Sequence, residues 1–215
     1  RALIMAPTRE LAVQIHRDAK EMAKSTGLRL GVVYGGEGYE SQRLELEAGV
    51  DILIGTCGRL LDYMKQGVYN LSNIEVVVLD EADQMLDMGF IPQVKRIVRA
   101  TPHKDHRQTL LFSATFTQDI LNLAQQWTFQ PITIEIEPES VATDSVDQKI
   151  YLVSSSQRYK VLDNLLRSAD CTSVIVFANR RDQVRRLHER LRKAGVSAGI
   201  LSGDIPQAKR TRTLE

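Results

Sequence analysis

Two adjacent carboxylates, Asp80 and Glu81, directly follow the apolar run Val76-Val77-Val78-Leu79, and Ala82 and Asp83 come next. A short β-branched run of this kind reads as a buried strand, so both acids stand where a strand leaves its sheet. That placement suits phosphoryl transfer. The strand-end acid can hold Mg²⁺ through the ion's water shell, while its neighbour orients or deprotonates an attacking water. A plainer reading makes the same residues the acidic start of a helix, where the dipole favours negative charge. On these four residues alone, both readings stand.

The elements that must position them come from the apolar pattern. Strand-like runs fall at residues 2–6, 30–34, 51–55, 76–79, 109–112 and 132–136, then after a polar gap at 150–153, 173–177 and 198–201. Between them Leu11, Ile15, Ala19 and Met22 share one helical face, as do Val184, Leu187 and Leu191. Thr8 is placed as an N-cap with Glu10 in the first turn, and Gly27 and Gly195 are placed as helix stops. Strands apolar on both faces, alternating with helices, predict parallel α/β sheets. The polar and glycine residues then fall just after the strands: Pro7-Thr8-Arg9, Gly35-Gly36, Thr56-Cys57-Gly58-Arg59, Ser113-Ala114-Thr115, Asn179-Arg180 and Ser202-Gly203-Asp204. Ligands of open α/β sheets bind outside the carboxyl ends of the strands, so this punctuation points to a ligand-binding sheet edge.

Composition narrows the classes. The 215 residues are 43% hydrophobic and 26% charged, enough for a core and a solvated surface. No apolar stretch approaches the roughly 20 residues that span a bilayer. Cys57 and Cys171 lie far apart without metal-ligand spacing, which reads as small buried or half-buried thiols in a reducing cytosol. His103 and His106 sit among Lys104, Asp105 and Arg107, as expected of a solvated loop. Residues 1–140 carry 14 Lys and Arg against 19 Asp and Glu, whereas residues 141–215 carry 14 against 8. The basic second part fits a polyanion partner, or Arg180, Arg181, Arg185, Arg186, Arg190, Arg192 and Lys193 merely solvate one helix. The polar segment 137–147 lacks an apolar period and marks a boundary near residue 140. Residues 1–5 read as a strand entered partway and 210–215 as a helix-like run, so a piece cut at both ends is expected.

Taken together, Pro7-Thr8-Arg9-Glu10-Leu11-Ala12, Gly35-Gly36, Thr56-Cys57-Gly58-Arg59, Asp80-Glu81-Ala82-Asp83 and Ser113-Ala114-Thr115 resemble, in order and spacing, the motifs of DEAD-box RNA helicases. Val174-Ile175-Val176-Phe177-Ala178-Asn179, Ser202-Gly203-Asp204 and the Gln207 and Arg210 pair resemble that family's next motifs. Residues 1–16, 34–39 and 51–55 look closest to the bacterial helicase associated with the RNA degradosome.

The resemblance implies RecA-like parallel sheets flanked by helices: a first helicase domain at 1–139, a linker at 140–148, and the start of a second domain at 149–215. It implies ATP and Mg²⁺ as cofactors, with Asp80 binding the metal through water and Glu81 serving the hydrolytic water. Asp83, Ser113 and Thr115 would link nucleotide state to RNA binding, although Ser113 and Thr115 alone read as an ordinary helix N-cap. Pro7, Thr8, Arg9, Gly35, Gly36, Thr56, Gly58 and Arg59 would hold one RNA strand, and Gly203, Gln207 and Arg210 its neighbouring stretch. For the last three a tight turn and a solvated helix is an open alternative. Such contacts grip the backbone without reading bases.

The implied protein is cytoplasmic and meets an RNA-decay ribonuclease complex. The rivals are a non-catalytic RNA-binding scaffold on the same fold and a DNA helicase of a related superfamily. Two departures stand out. Cys57 replaces the family's usual Pro, with little loss of RNA contact expected, and no G-x-x-x-x-G-K-[ST] phosphate loop occurs in the 215 residues. The adenine-reading segment and the arginine-finger motifs are missing as well, so these residues alone are not expected to hydrolyse ATP efficiently.

Overall fold

Runs rich in Val, Ile and Leu become strands only where neighbours complete their ladders. In the computed structural model, which describes residues 1–36, 38–136, 147–168, 172–205, 209–210 and 213, five runs do so. They are β1 (Ala2–Ala6), β2 (Leu30–Val33), β3 (Ile52–Thr56), β4 (Val76–Leu79) and β5 (Gln108–Leu111), in the spatial order β2-β3-β1-β4-β5. Every pairing is parallel. The connections carry α1 (Arg9–Ala23), α2 (Tyr39–Glu47), α3 (Cys57–Lys65), α4 (Ala82–Asp87) and α5 (Ile91–Arg99), and α6 (Gln118–Trp127) follows β5.

Alternation along β1 sends its side chains to two cores. Leu3 and Met5 join Leu53, Val77, Leu79, Leu60, Tyr63, Met85, Ile97 and Ile120 beneath α2 to α6. Ala6, with Ile4 and Ile54, meets Ala12, Leu11, Ile15 and Ala19 of α1 on the opposite face. Burying one such Leu, Ile or Met contributes about 1.5–3 kcal/mol. Thr8 caps α1 as expected, its side chain accepting the Leu11 N–H at 3.3 Å. Gly27 and Gly195 both have positive φ just past helical turns.

Met22 lies on the expected helical face yet is 82% exposed. Fifteen helical residues run about 22 Å, whereas the five-residue strand beneath spans about 16 Å. The last turn of α1 therefore overshoots the sheet.

The chain divides into two compact units, Arg1–Glu135 and Ile136–Glu215. Of the expected linker at 140–148, residues 140–146 lie outside the described residues, as do Cys171 and Gln207. The second unit carries α7 (Arg158–Leu166) and α8 (Arg181–Lys193). The Arg190 guanidinium lies 3.5 Å from the Tyr159 ring centre, and Leu191 is buried. The strands expected at 132–136, 150–153, 173–177 and 198–201 are not strands here. Ile134, Leu152 and Phe177 are 78%, 96% and 91% exposed. Apolar composition favoured these runs, but none finds a ladder partner among the described residues.

Gly55 in β3 marks the tightest strand approach. A Cβ there would lie 2.7 Å from the Val33 carbonyl oxygen and 2.9 Å from Leu60 Cγ. Gly55→Ala is expected to destabilise the first unit by about 1–3 kcal/mol through overpacking. Urea denaturation followed by the single tryptophan, Trp127, would read this as a lower midpoint; an unchanged midpoint would mean that β2 and β3 can part without cost.

Candidate functional site

Parallel register brings the strand ends to one edge. Ala6 lies opposite Thr56, Met5 opposite Leu79, Val33 opposite Gly55 and Leu79 opposite Leu111. The five segments that follow therefore emerge together: Pro7-Thr8-Arg9, Tyr34-Gly35-Gly36, Thr56 to Arg59, Asp80 to Asp83, and Ser113 to Thr115. The neighbouring strands β1 and β4 send their chains to opposite sides, the arrangement that opens a crevice at such an edge.

The acidic segment is held by backbone bonds on both sides. Asp80 N–H donates to the Met5 carbonyl at 3.0 Å, and Ala82 N–H donates to the Phe112 carbonyl at 3.0 Å. Asp80 Oδ1 accepts the Glu81 N–H at 3.0 Å. Between the anchors Glu81 adopts φ 50° and ψ 54°. A left-handed residue other than glycine costs on the order of 1–3 kcal/mol and persists only where its surroundings hold it. Here the strand turns straight into α4, whose Ala82 and Met85 are buried. Glu81 occupies the N-cap position, yet its side chain makes no cap bond. The helix-start reading therefore describes its position and leaves its carboxylate unused.

Asp83, in the first turn of α4, reaches the segment after β5. Its Oδ2 accepts the Thr115 N–H at 3.0 Å and the Thr115 hydroxyl at 3.1 Å, and Ser113 Oγ donates to the Thr115 carbonyl at 2.7 Å. The N-cap alternative for Ser113 and Thr115 fails, because Thr117 caps α6 by accepting the Ile120 N–H at 3.5 Å. Partial burial pushes the Asp83 pKa up. The Thr115 hydroxyl and the Gln84 and Thr115 N–H groups outweigh it, leaving the carboxyl below its ordinary value.

On the other half of the edge, Arg9 lies against Gly36. Gly36 has φ +104°, and a methyl placed there would run into the Arg9 guanidinium. Pro7 is buried. Thr56 precedes α3 without a side-chain cap bond, which leaves the first N–H groups of that helix without a cap from it. Gly58 is exposed beside open space. Cys57 opens α3 where proline is also tolerated, and its buried Sγ lies 3.9 Å from Met85 Sδ. Burial pushes this thiol up to about 12.

Gly203 and Arg210 belong to the second unit. Near Gly203, Asp204 bonds Ser202 and Arg185, which hold its carboxyl down at about 2. The pattern missed Tyr39, Gln42 and Tyr63, which surround Arg59. They lie on α2 and α3, and only the packing of those helices brings them to that side chain.

The model of the DEAD/DEAH box helicase family matches residues 1–123, and the chain belongs to that family. A solved structure of a DEAD box protein from the hyperthermophile Methanococcus jannaschii aligns with a TM-score of 0.60 and 34% identity, over all of this chain and 57% of that one. Together with the parallel sheet, this likeness makes the fold RecA-like α/β. The chain is 58% identical to the ATP-dependent RNA helicase RhlB of Pseudomonas aeruginosa (strain UCBPP-PA14), over 100% of its own length and 54% of the relative's. Identity to the ATP-dependent RNA helicase RhlB of Shewanella amazonensis is 45%, over all of this chain and 49% of that protein. The chain thus spans about half the length of the curated relatives it matches.

The Asp83 link has a pH signature. A depressed carboxyl pKa means that the folded chain binds this proton more weakly than the unfolded chain. The link therefore adds stability above the ordinary Asp value and loses it as pH falls through the lowered one. A carbon-detected NMR titration of Asp83 should give a midpoint below the ordinary Asp range, and Thr115→Val should raise it. A midpoint already in the ordinary range would mean that the link does not form in solution.

Proposed function

We propose that this chain is the water-activating and RNA-gripping part of an ATP-dependent RNA helicase, a machine that couples ATP hydrolysis to local opening of an RNA duplex. The observation that carries the reading is the double bond from Asp83 to Thr115, which ties the acidic end of β4 to the segment after β5. It lies on the sheet edge that also carries Arg9, Gly36 and the start of α3.

In this reading Asp80 holds Mg²⁺ through water. Among the described residues, no three His, Cys, Asp or Glu gather as direct ligands. A strand-end carboxylate acting through water fits Mg²⁺, which keeps several waters and takes other ligands from phosphates. Bound there, the ion would neutralise charge on the phosphates. Glu81 orients or deprotonates the attacking water. Asp83, Thr115 and Ser113 pass the nucleotide state to the RNA side.

Thr8, Arg9, Gly35, Gly36, Thr56, Gly58 and Arg59, with the Pro7 backbone, grip one RNA strand through its phosphates. Uncapped helix N–H groups and arginine forks suit phosphate. Gly203, Gln207 and Arg210 serve the adjacent stretch. Contacts to the backbone leave base sequence unread. The same reading makes the protein cytoplasmic and gives it an RNA-decay ribonuclease complex as partner, on the sequence resemblance of residues 1–16, 34–39 and 51–55.

In the full-length protein, Glu81→Gln should retain ATP binding while RNA-stimulated turnover falls about 10²–10⁴-fold, the range for losing a general base. A coupled ATPase assay reads this, and wild-type turnover would remove Glu81 from the chemistry. RNA should stimulate the wild-type ATPase where single-stranded DNA of the same length does not. Equal stimulation by both would favour a DNA helicase, and no ATPase with intact RNA binding would favour a scaffold.

A further inference from the structure

Arg59 and the Gly35-Gly36 turn follow different strands, yet one buried atom joins them. Gln42 Oε1 accepts the Tyr34 N–H at 3.0 Å, immediately before the two glycines, and also accepts Arg59 Nη1 at 3.3 Å. Gln42 is 8% exposed, so water competes little for that oxygen. Around it the Arg59 guanidinium carbon lies 4.7 Å from the Tyr39 ring centre and 5.2 Å from that of Tyr63. The Tyr63 hydroxyl accepts Arg59 Nη1 at 3.1 Å and donates to the Tyr39 carbonyl at 2.5 Å. Tyr63 itself is fully buried.

These contacts are one-sided. Both hydrogen bonds fall on Nη1, and among the described residues Arg59 Nε and Nη2 have no partner and no carboxylate pairs with the guanidinium. Aromatic faces and neutral acceptors hold a cation without cancelling its charge. A side chain fixed on one edge, with charge and donors left on the other, is suited to meet a phosphate at low entropic cost. Lysine has neither the planar fork nor the stacking face, so it cannot take the same seat.

We propose that Gln42, Tyr39 and Tyr63 are positioning residues that hold Arg59 as a one-sided phosphate fork and set its spacing from the Gly35-Gly36 turn. The assignment rests on the RNA reading of this edge. Gln42 never touches RNA; it acts through Arg59 and the Tyr34 backbone.

The test uses the full-length protein, a fluorescein-labelled oligouridylate and a non-hydrolysable ATP analogue. Arg59→Ala should weaken RNA binding about tenfold, the equivalent of one charge-assisted contact. Gln42→Leu and Tyr63→Phe should each cost about three- to tenfold, because the fork is loosened while its charge remains. In ATPase assays each should raise the KM for RNA by more than it lowers kcat.

The decisive measurement is the double variant. Gln42→Leu combined with Arg59→Ala should bind no more weakly than Arg59→Ala alone. Losses that multiply, or wild-type affinity in both single positioning variants, would overturn the assignment and make the cluster ordinary packing between α2 and α3. Should Gln42→Leu fail to fold, Tyr63→Phe, which removes only a hydroxyl, runs the same cycle. If Arg59→Ala itself binds RNA like the wild type, the RNA reading of this edge fails and the assignment falls with it. That outcome is distinct from the first, in which Arg59 matters and Gln42 does not.

Discussion

The parallel ladder around β1 is the constraint on which the candidate site rests. β1 pairs with β3 on one side and β4 on the other, and each register is fixed because both faces of the strand are buried. A slip of one residue would turn Leu3 and Met5 toward α1 and Ile4 and Ala6 toward the larger core, so volume and packing would fail on both faces at once. With the register fixed, Asp80, Thr56 and Pro7 leave the sheet side by side. No long loop is needed to assemble the edge.

The same ladder supports the strain at Glu81. Its last bond runs from Asp80 N–H to Met5, and the next anchor runs from Ala82 N–H to Phe112. One residue must reverse the chain between these fixed points, and Glu81 does so in the left-handed region. Glycine would relax there at lower conformational cost, but it would bring no carboxylate to the edge. An acid held where backbone geometry favours glycine supports the role proposed for that side chain.

Much of the first unit could be read from the sequence because its signals are local. β-branched runs gave five strands within a residue or so, and Thr8 announced the start of α1. Where the readings failed, the deciding fact was non-local. Met22 has the correct helical phase but overhangs the sheet. The runs at 132–136 and in the second unit have strand composition without neighbours to pair with. For Ser113 and Thr115 only the local N-cap alternative fails, since Thr115 bonds Asp83, 32 residues away, and Thr117 takes the capping role. Tyr39, Gln42 and Tyr63 carry no motif, because their meaning comes from helices meeting over Arg59.

The two halves of the edge are tied with different firmness, and burial makes the difference. The Asp83–Thr115 bonds are exposed, so water can replace either partner when they break. Gln42 is 8% exposed, so water reaches its shared oxygen less readily and its bond to the Tyr34 N–H is the costlier one to leave unmade. Arg59 and the glycine turn are thus held at a fixed spacing, whereas the link from Asp83 to the segment after β5 can break and re-form at low cost. The proposed function, which binds one polymer geometry while responding to a changing nucleotide, would need both properties, and they lie at opposite ends of one five-stranded sheet.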